Sequence, residues 1–360
     1  MRREEKIEAK DREFFAAVNS GRGFVSFYNE IFGGEKILRR YLIKGGPGTG
    51  KSTLMRRISD EAEASGFDVV RYRCSSDPSS LDGVVINGKV AVIDSTAPHA
   101  VEAELAGARD TLVDLGAFWN SEGLYQERDR IKALSEAKKR SYALAYRFLS
   151  SAMQSDIASR ELIFPCVDKK RITRLAKRLT KGIISDGGYE CKIGITSAIG
   201  MRGRCAIDTY AFLSEKTVYI EEHYGIGYLA LCEICKMAQD KGCRISVSYE
   251  PLCPDFPNAV FFEESKTLFA LCGERTKGTV SLRRALDLSA LSKRERNDLK
   301  SKCRSAKRIS EALVLSATDE LKKAGEAHFE LENIYRANMD FAALDAYSKR
   351  ICEEIVKYSM

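Results

Sequence analysis

The order of apolar and polar positions divides the chain into short strands and amphipathic helices. Residues 38–44 (LRRYLIK), 68–74 (DVVRYRC) and 89–94 (KVAVID) are compact apolar-rich runs edged by glycine, asparagine or aspartate, and each reads as a strand. The third holds four consecutive apolar residues, Val90, Ala91, Val92 and Ile93, as expected of a strand buried on both faces. Residues 53–65 carry Leu54, Ile58 and Ala62 at helical spacing, and Gly66 follows as a helix stop. Residues 75–83 read as one long polar turn. Two charge-rich stretches, 126–158 and 303–336, have the periodicity of long helices. Strands alternating with helices predict an α/β chain.

Between the strand ending at residue 44 and the helix opening at residue 53 lie Gly45, Gly46, Pro47, Gly48, Thr49, Gly50, Lys51 and Ser52, followed by Thr53. They satisfy G-x-x-x-x-G-K-[ST], the P-loop or Walker A pattern, in its proper context of strand, glycine loop and helix. Glycines let the backbone curl so that its N–H groups point inward at phosphate oxygens, and the following helix adds its positive end. On this reading Lys51 reaches the β- and γ-phosphates and Ser52 gives an oxygen to Mg²⁺. Residue Asp94, at the end of the run 89–94, is the matching Walker B carboxylate for the metal.

The residue after Asp94 is Ser95, where a fast motor ATPase would carry a glutamate to polarise water. His99, just past the strand end, is the candidate base, with a solvent-facing helix start as its plain alternative. Asp77 and Asp82, in the polar turn, are candidates for binding an acceptor or sensing the γ-phosphate, against the alternative of an ordinary surface turn.

The pattern then recurs. RYLIKGGPGTGKSTLMRRISDEAEASGFDVVRY, from Arg40, aligns with TVYIEEHYGIGYLALCEICKMAQDKGCRISVSY, from Thr217, with Tyr41 opposite Val218 and Tyr72 opposite Tyr249. The helical tails match too, 136–152 with 304–320 and 170–184 with 341–356. The expected architecture is therefore a P-loop NTPase-like three-layer α/β/α domain, tandemly duplicated, with long helical extensions: residues 1–186 with an intact loop and 187–360 with a degenerate one. In the second loop Tyr228 stands for the lysine, Leu229 for the serine, and Asp94 falls near Leu271, while Glu221 and Glu222 bring negative charge. One nucleotide per chain is expected.

The loop GGPGTGKST, the run Cys74-Ser75-Ser76-Asp77-Pro78 with Ser80-Leu81-Asp82, and Asp94-Ser95-Thr96-Ala97-Pro98-His99 resemble a poorly characterised bacterial family of P-loop ATPase-like proteins with two nucleotide-binding halves. The likeness spans nearly the whole chain. It implies ATP binding at residues 45–53 and no settled reaction.

Composition narrows the setting. No run of about 18 apolar residues exists, so membrane insertion is not expected. The amino terminus lacks the apolar stretch of a signal peptide, and eleven irregularly spaced cysteines read as free thiols of a reducing cytoplasm. Cys232, Cys235, Cys243 and Cys253 read as small buried hydrophobes rather than metal ligands, and His223 and His328 have no ligand-like companions. The net charge of +7 is mild, but residues 169–181 hold seven Lys or Arg and no acid, and 283–308 is also basic. Both fit a solvated face, or a protein or nucleic-acid partner docking on basic helices. The leading expectation is an ATP-binding protein with slow Mg²⁺-dependent ATPase activity that drives a conformational change. The alternatives are a small-molecule kinase, with Arg71, Arg73, Asp77 and Asp82 around an acceptor, and a nucleotide-gated scaffold. No N-K-x-D stretch that would read guanine is present, which favours ATP.

Overall fold

A computed structural model describes residues 5–7 (backbone), 12–98, 101–185, 187–273 and 278–359. Its first half runs β1 (Glu5–Ile7), β2 (Arg12–Phe15), β3 (Ala17–Ser20), β4 (Gly23–Ser26), α1 (Tyr28–Phe32), β5 (Arg39–Lys44), α2 (Lys51–Ala64), β6 (Val69–Arg73), β7 (Leu81–Ile86), β8 (Val90–Asp94), β9 (Asp110–Asp114), α3 (Ser121–Gln126), α4 (Arg128–Ile163) and α5 (Lys169–Leu179). The second half runs β10 (Glu190–Ile193), β11 (Ser197–Gly200), β12 (Gly203–Ile207), α6 (Thr209–Leu213), β13 (Lys216–Glu221), α7 (Gly227–Asp240), β14 (Arg244–Tyr249), β15 (Pro257–Phe262), β16 (Thr267–Cys272), α8 (Lys293–Ala337) and α9 (Phe341–Ser359). This is a mixed α/β fold with two sheet-containing lobes and long helices.

The lobes share one topology. The first sheet has the order β2-β6-β7-β8-β5-β9 and the second β10-β14-β15-β16-β13. In place of β9 the second lobe has a parallel bridge between Ile220 and Val280. Parallel and antiparallel neighbours match strand for strand, and a register shift falls at Tyr72/Arg73 in one lobe and at Ser248/Tyr249 in the other. The repeat in the sequence is thus a repeat of structure. One detail departs from the sequence reading. The polar turn ends at residue 80, because Leu81, Asp82 and Gly83 open an additional strand, β7, which lies antiparallel between β6 and β8. The bulge opposite Arg73 lets the chain leave the polar turn and enter the sheet within a few residues.

Layering also differs from expectation. In β5, Tyr41 and Ile43 pack on one face with Leu54 and Ile58 of α2, while Leu42 packs on the other with Ile93, Phe261 and Leu268. Phe261 and Leu268 belong to the second lobe, and the neighbouring Phe262 and Phe269 point the opposite way, toward α7. Alternation along each strand therefore feeds two different cores. Each sheet is covered by helices on one face only, and the other faces of the two sheets meet in a shared core with Tyr28 and Phe32 of α1 and Tyr210 of α6. Three independent layers per half do not form, because the second apolar face of each sheet is buried by the other sheet.

The halves also exchange helices. Leu344, Ile351, Cys352 and Ile355 of α9 lie in the first lobe's core beside α2. Ile172 and Ala176 of α5 lie in the second lobe's core beside Ile234 and Ala238 of α7. The division at 186/187 separates two sequence repeats, yet each lobe is completed by the terminal helix of the other repeat. The crossing is made by α4 and α8, of 36 and 45 residues, or about 54 and 68 Å at 1.5 Å per residue. They run antiparallel: Arg130 pairs with Glu330 at 3.9 Å, Ser155 Oγ donates to Ala306 O at 2.9 Å, and Leu149 and Ala152 pack with Val314 and Ala317. Ser292 and Glu295 start α8 with a reciprocal capping box. No helix among the described residues is long and apolar enough to cross a membrane.

Candidate functional site

The loop of residues 45–50 leaves the end of β5 and closes into α2 at Lys51. Gly48 and Gly50 take the left-handed conformation, with φ of +69° and +87°, which side-chain-bearing residues resist. Gly50 is the N-cap of α2, no side chain caps that end, and the first turn holds no acid. The leading N–H groups of α2 thus lack a side-chain acceptor, which is the condition for anion binding at a helix start.

The Lys51 ammonium folds back over the loop. It donates to Gly45 O at 3.0 Å and Gly46 O at 2.7 Å, and lies 3.7 Å from an Asp94 carboxylate oxygen. Asp94 gets there by register, since β8 is parallel to β5 with Asp94 opposite Ile43. Its other oxygen accepts from Thr96 N at 2.9 Å, and Thr96 Oγ1 donates to Gly45 O at 3.1 Å. Within the loop Thr49 Oγ1 donates to Gly46 O at 2.9 Å. Ser52 Oγ accepts from Leu81 N at 3.0 Å, tying the start of α2 to β7. Gly45, Gly46, Pro47, Gly48, Thr49, Gly50, Lys51, Ser52 and Asp94 are therefore gathered at one place, with Thr53 exposed on α2 beside them. His99 lies outside the described residues.

Residues from the far end of the chain cover this loop. A Cβ on Gly48 would come within 2.6 Å of Glu332 O, and one on Gly46 within 2.8 Å of the Tyr335 ring. Tyr335 packs in turn against Trp119 at 5.6 Å between ring centroids, and Leu344 of α9 approaches Gly50. From α4, Tyr142 Oη donates to Ser76 Oγ at 3.2 Å. One turn away, burial first and the charge of Lys51 second push the Lys138 ammonium below its ordinary value. Of these covering residues only Lys138 stands out in the sequence, as one of the basic residues 138–140 of a long helix that could reach phosphates; the others approach the loop through helices distant in the chain.

Of the residues proposed for an acceptor pocket, Arg71, Arg73 and Asp77 make contacts with neighbouring side chains and turns. Arg71 binds Asp60 at 3.0 Å and Glu63, both on α2, and Arg73 makes a two-pronged bond to Glu13 at 2.8 and 3.0 Å. Asp77 accepts from Ser79 N at 3.1 Å and from the Ser79 hydroxyl at 2.7 Å, the pattern of a turn stabiliser. Asp82 is buried on β7. Tyr28, beside it, is held protonated well above its ordinary value by burial and then by the charges of Asp82 and Asp94.

The second loop has opposite electrostatics. Glu222 accepts from Gly227 N at 3.2 Å, at the first residue of α7. Glu221 turns away to accept from Ser281 Oγ at 2.7 Å. Arg160 of α4 presses on Gly225, where a Cβ would lie 2.8 Å from its Cγ. The same guanidinium sits 4.2 Å above the Phe256 ring and 5.4 Å above that of Tyr228. Leu271 faces Ile220 across the parallel pair, in the place that Asp94 holds opposite Ile43. An internal carboxylate and an arginine occupy the surroundings that lysine, serine and aspartate furnish in the first lobe.

Among the described residues no group of three or more His, Cys, Asp or Glu side chains is arranged to hold a metal. The eleven cysteines are free, and burial pushes the Cys232, Cys243 and Cys253 thiols up and that of Cys235 to about 12. Cys243 and Cys253 are buried as the sequence suggests, whereas Cys232 and Cys235 are only half-buried. His223 is stacked edge-on with Tyr224, and His328 lies 3.4 Å from Glu332.

The chain matches no protein-family model, no curated protein sequence and no solved structure.

Proposed function

We propose that this protein binds ATP with Mg²⁺ at residues 45–53 of a P-loop NTPase-like first lobe and hydrolyses it slowly, using the bound nucleotide to reset how the exchanged helices rest on the loop. The observation that carries this reading is the Lys51 ammonium lying on the carbonyls of Gly45 and Gly46 next to Asp94, at the start of an uncapped helix. A triphosphate offers that lysine better acceptors than two neutral carbonyls, and offers the α2 N–H groups the anion they lack. Ser52 and Asp94 are the oxygen donors for Mg²⁺. With two such protein donors, phosphate and water would complete its shell. The metal would neutralise charge on the phosphate oxygens.

Each residue then has a task. The loop amides and Lys51 bind and orient the phosphates, Ser52 and Asp94 hold the cation, and Tyr335 and Leu344 keep water from the loop's outer side. His99 remains our candidate for orienting the attacking water. Slow turnover follows from Ser95, which is buried and donates its hydroxyl to Val101 O, standing where a water-polarising carboxylate would be needed. Hydrolysis is favoured over transfer to a small acceptor because Arg71 and Arg73 are held by carboxylates. The free thiols suit a reducing, cytoplasmic setting.

Calorimetric titration with a non-hydrolysable ATP analogue and Mg²⁺, paired with phosphate release, tests the reading. K51A is expected to lose triphosphate binding and turnover while keeping its thermal unfolding transition. D94N is expected to lose mainly the Mg²⁺-dependent part of both. Unchanged hydrolysis in pure K51A protein would remove the loop as the active site. Equal losses for D94N with and without Mg²⁺ would make Asp94 structural.

A further inference from the structure

We propose that Lys138, presented by α4, is a second phosphate-binding cation of the first-lobe site, directed at the terminal phosphate of the bound triphosphate. The proposal rests on the nucleotide reading above and adds to it a residue outside the loop motif.

Position comes first. Lys138, Tyr142 and Tyr146 are spaced by four residues along α4 and so share one face. That face is fixed on the first lobe, because Tyr142 Oη donates to Ser76 Oγ at 3.2 Å and Tyr146 Oη donates to Asn19 Oδ1 at 2.9 Å. Ser76 belongs to the turn that runs into Leu81, whose N–H holds Ser52 Oγ. From Tyr142 toward the amino end of α4, the helix runs toward the part of α8 that touches the loop, as the pairing of Arg130 with Glu330 shows. Glu332 and Tyr335 lie in that part, against Gly48 and Gly46. Lys138 therefore falls between two contacts that both lead to the nucleotide loop, on the face turned toward it.

Charge comes second. Lys138 is half-buried and has no hydrogen-bond or ion-pair partner among the described residues, while sensing the positive charge of Lys51. No acid among the described residues acts on it, and three acids around the loop are engaged with other groups. Glu332 faces His328 at 3.4 Å and Arg336 at 3.9 Å, Asp77 is held by Ser79 and lies 4.0 Å from Arg202, and Asp94 lies beside Lys51. A half-buried, unpaired cation thus lies on the helix face that docks against the turn leading to the loop, and it feels the charge of Lys51. Removing solvent from an ammonium without supplying an anion is unfavourable, and a multiply charged phosphate supplies one. Cations aimed at a transferring phosphoryl group act on the charge that spreads over its oxygens in the transition state.

The far end of α4 gives the arrangement rigidity. Arg160 lies 22 residues further along, about 33 Å at 1.5 Å per residue, and is held by Gly225, Phe256 and Tyr228 of the second lobe. The degenerate lobe thus anchors the helix that carries Lys138.

The test uses full-length protein titrated separately with Mg·ADP and with a Mg-bound non-hydrolysable ATP analogue, together with phosphate release from ATP. K138M, which keeps the aliphatic stem and its packing, should bind ADP as the unaltered protein does. It should bind the triphosphate analogue roughly tenfold more weakly or worse, and turn over about 10²–10³-fold more slowly, the usual cost of removing one transition-state donor. K138R should recover most of both. K51A, by contrast, should weaken both nucleotides. If K138M matches the unaltered protein in analogue affinity and turnover, or loses ADP and analogue equally, the proposal is overturned while the loop assignment stands. If the unaltered protein binds neither nucleotide, the loop assignment fails first and Lys138 with it.

Discussion

The Glu222 carboxylate accepts a hydrogen bond from the N–H of Gly227 at 3.2 Å, at the start of α7, where the corresponding end of α2 in the first lobe has no side-chain acceptor. One helix start is met by a carboxyl from its own loop and the other has no side-chain cap. Replacing Glu222 with alanine should uncover an anion site made of the α7 amides and Arg160. Inorganic phosphate or sulfate should then raise the melting temperature of E222A by a few degrees more than that of the unaltered protein. Calorimetry on the unaltered chain should give one nucleotide equivalent. Identical anion responses in the two proteins would mean that Glu222 does not fill a phosphate-like position.

Gly48 and Gly66 form a matched pair for testing the cover over the loop. Both are left-handed, at φ +69° and +83°, but a Cβ on Gly48 would meet Glu332 O at 2.6 Å and one on Gly66 would meet nothing within 4 Å. G66A should cost about 1–2 kcal/mol for the left-handed backbone alone. G48A should cost that plus about 1–3 kcal/mol of overpacking, and should weaken nucleotide binding at least tenfold. Denaturant midpoints of the two variants measure the difference. Equal midpoints would show that α8 does not press on the loop.

Arg40 and Asp110 form a buried ion pair joining β5 to β9, with bonds of 2.6 and 2.9 Å and both side chains almost fully enclosed. Asp110 also accepts from Glu104 N at 2.7 Å and Leu105 N at 2.8 Å. The hydrogen bond from Arg40, more than any other contact, holds the Asp110 carboxyl well below the usual carboxylate range. A group whose folded value is depressed contributes stability that is complete above its unfolded value of about 3.9 and is lost as pH falls toward the folded one. Unfolding free energies followed downward from pH 6 should therefore fall in the unaltered protein. D110N should start about 3–5 kcal/mol lower, because it leaves Arg40 buried without its charge partner, and should show a flatter acid limb. Parallel acid limbs would exclude Asp110 as a source of the slope.

Helix exchange makes the two sequence repeats dependent on one another. A fragment of residues 1–186 lacks Leu344, Ile351, Cys352 and Ile355, which close the first lobe's core over α2. It should show no cooperative thermal transition alone, and should copurify with a separately expressed 187–360 fragment. A cooperative melt of the first fragment near that of the whole chain would show that α9 is dispensable to this lobe.

The glycine loop of residues 45–50 was legible because its backbone turns are set by local sequence. A strand, glycines at the left-handed positions and a helix starting at Lys51 occupy one short stretch, and the loop's own turns need no distant partner. Asp94 was legible because a four-residue apolar run specifies a buried strand, and parallel pairing with β5 then sets its end beside the loop. Repetition of the same rhythm from Thr217 was enough to expect a second sheet of the same order, and the loss of lysine, serine and aspartate there was visible residue by residue. Strand β7 was missed because its first residues continue a polar turn, and only its partners β6 and β8 make it a strand.

Which lobe each terminal helix would complete was not in the pattern at all. The apolar stripes of α5 and α9 serve a sheet of either repeat, since two sheets of one topology offer similar grooves beside α2 and α7. The choice was made by α4 and α8, which pair along their length and carry the chain across to the opposite lobe before it can turn back. That crossing sets Glu332 and Tyr335 on the first loop and Arg160 on the second. The sequence by itself therefore determined the main strands and helices around the loop and the residue types it carries, because these depend on neighbours a few residues apart. Only the tertiary structure decided what surrounds the loop, because those contacts join residues nearly three hundred positions apart, through packing that local periodicity does not encode.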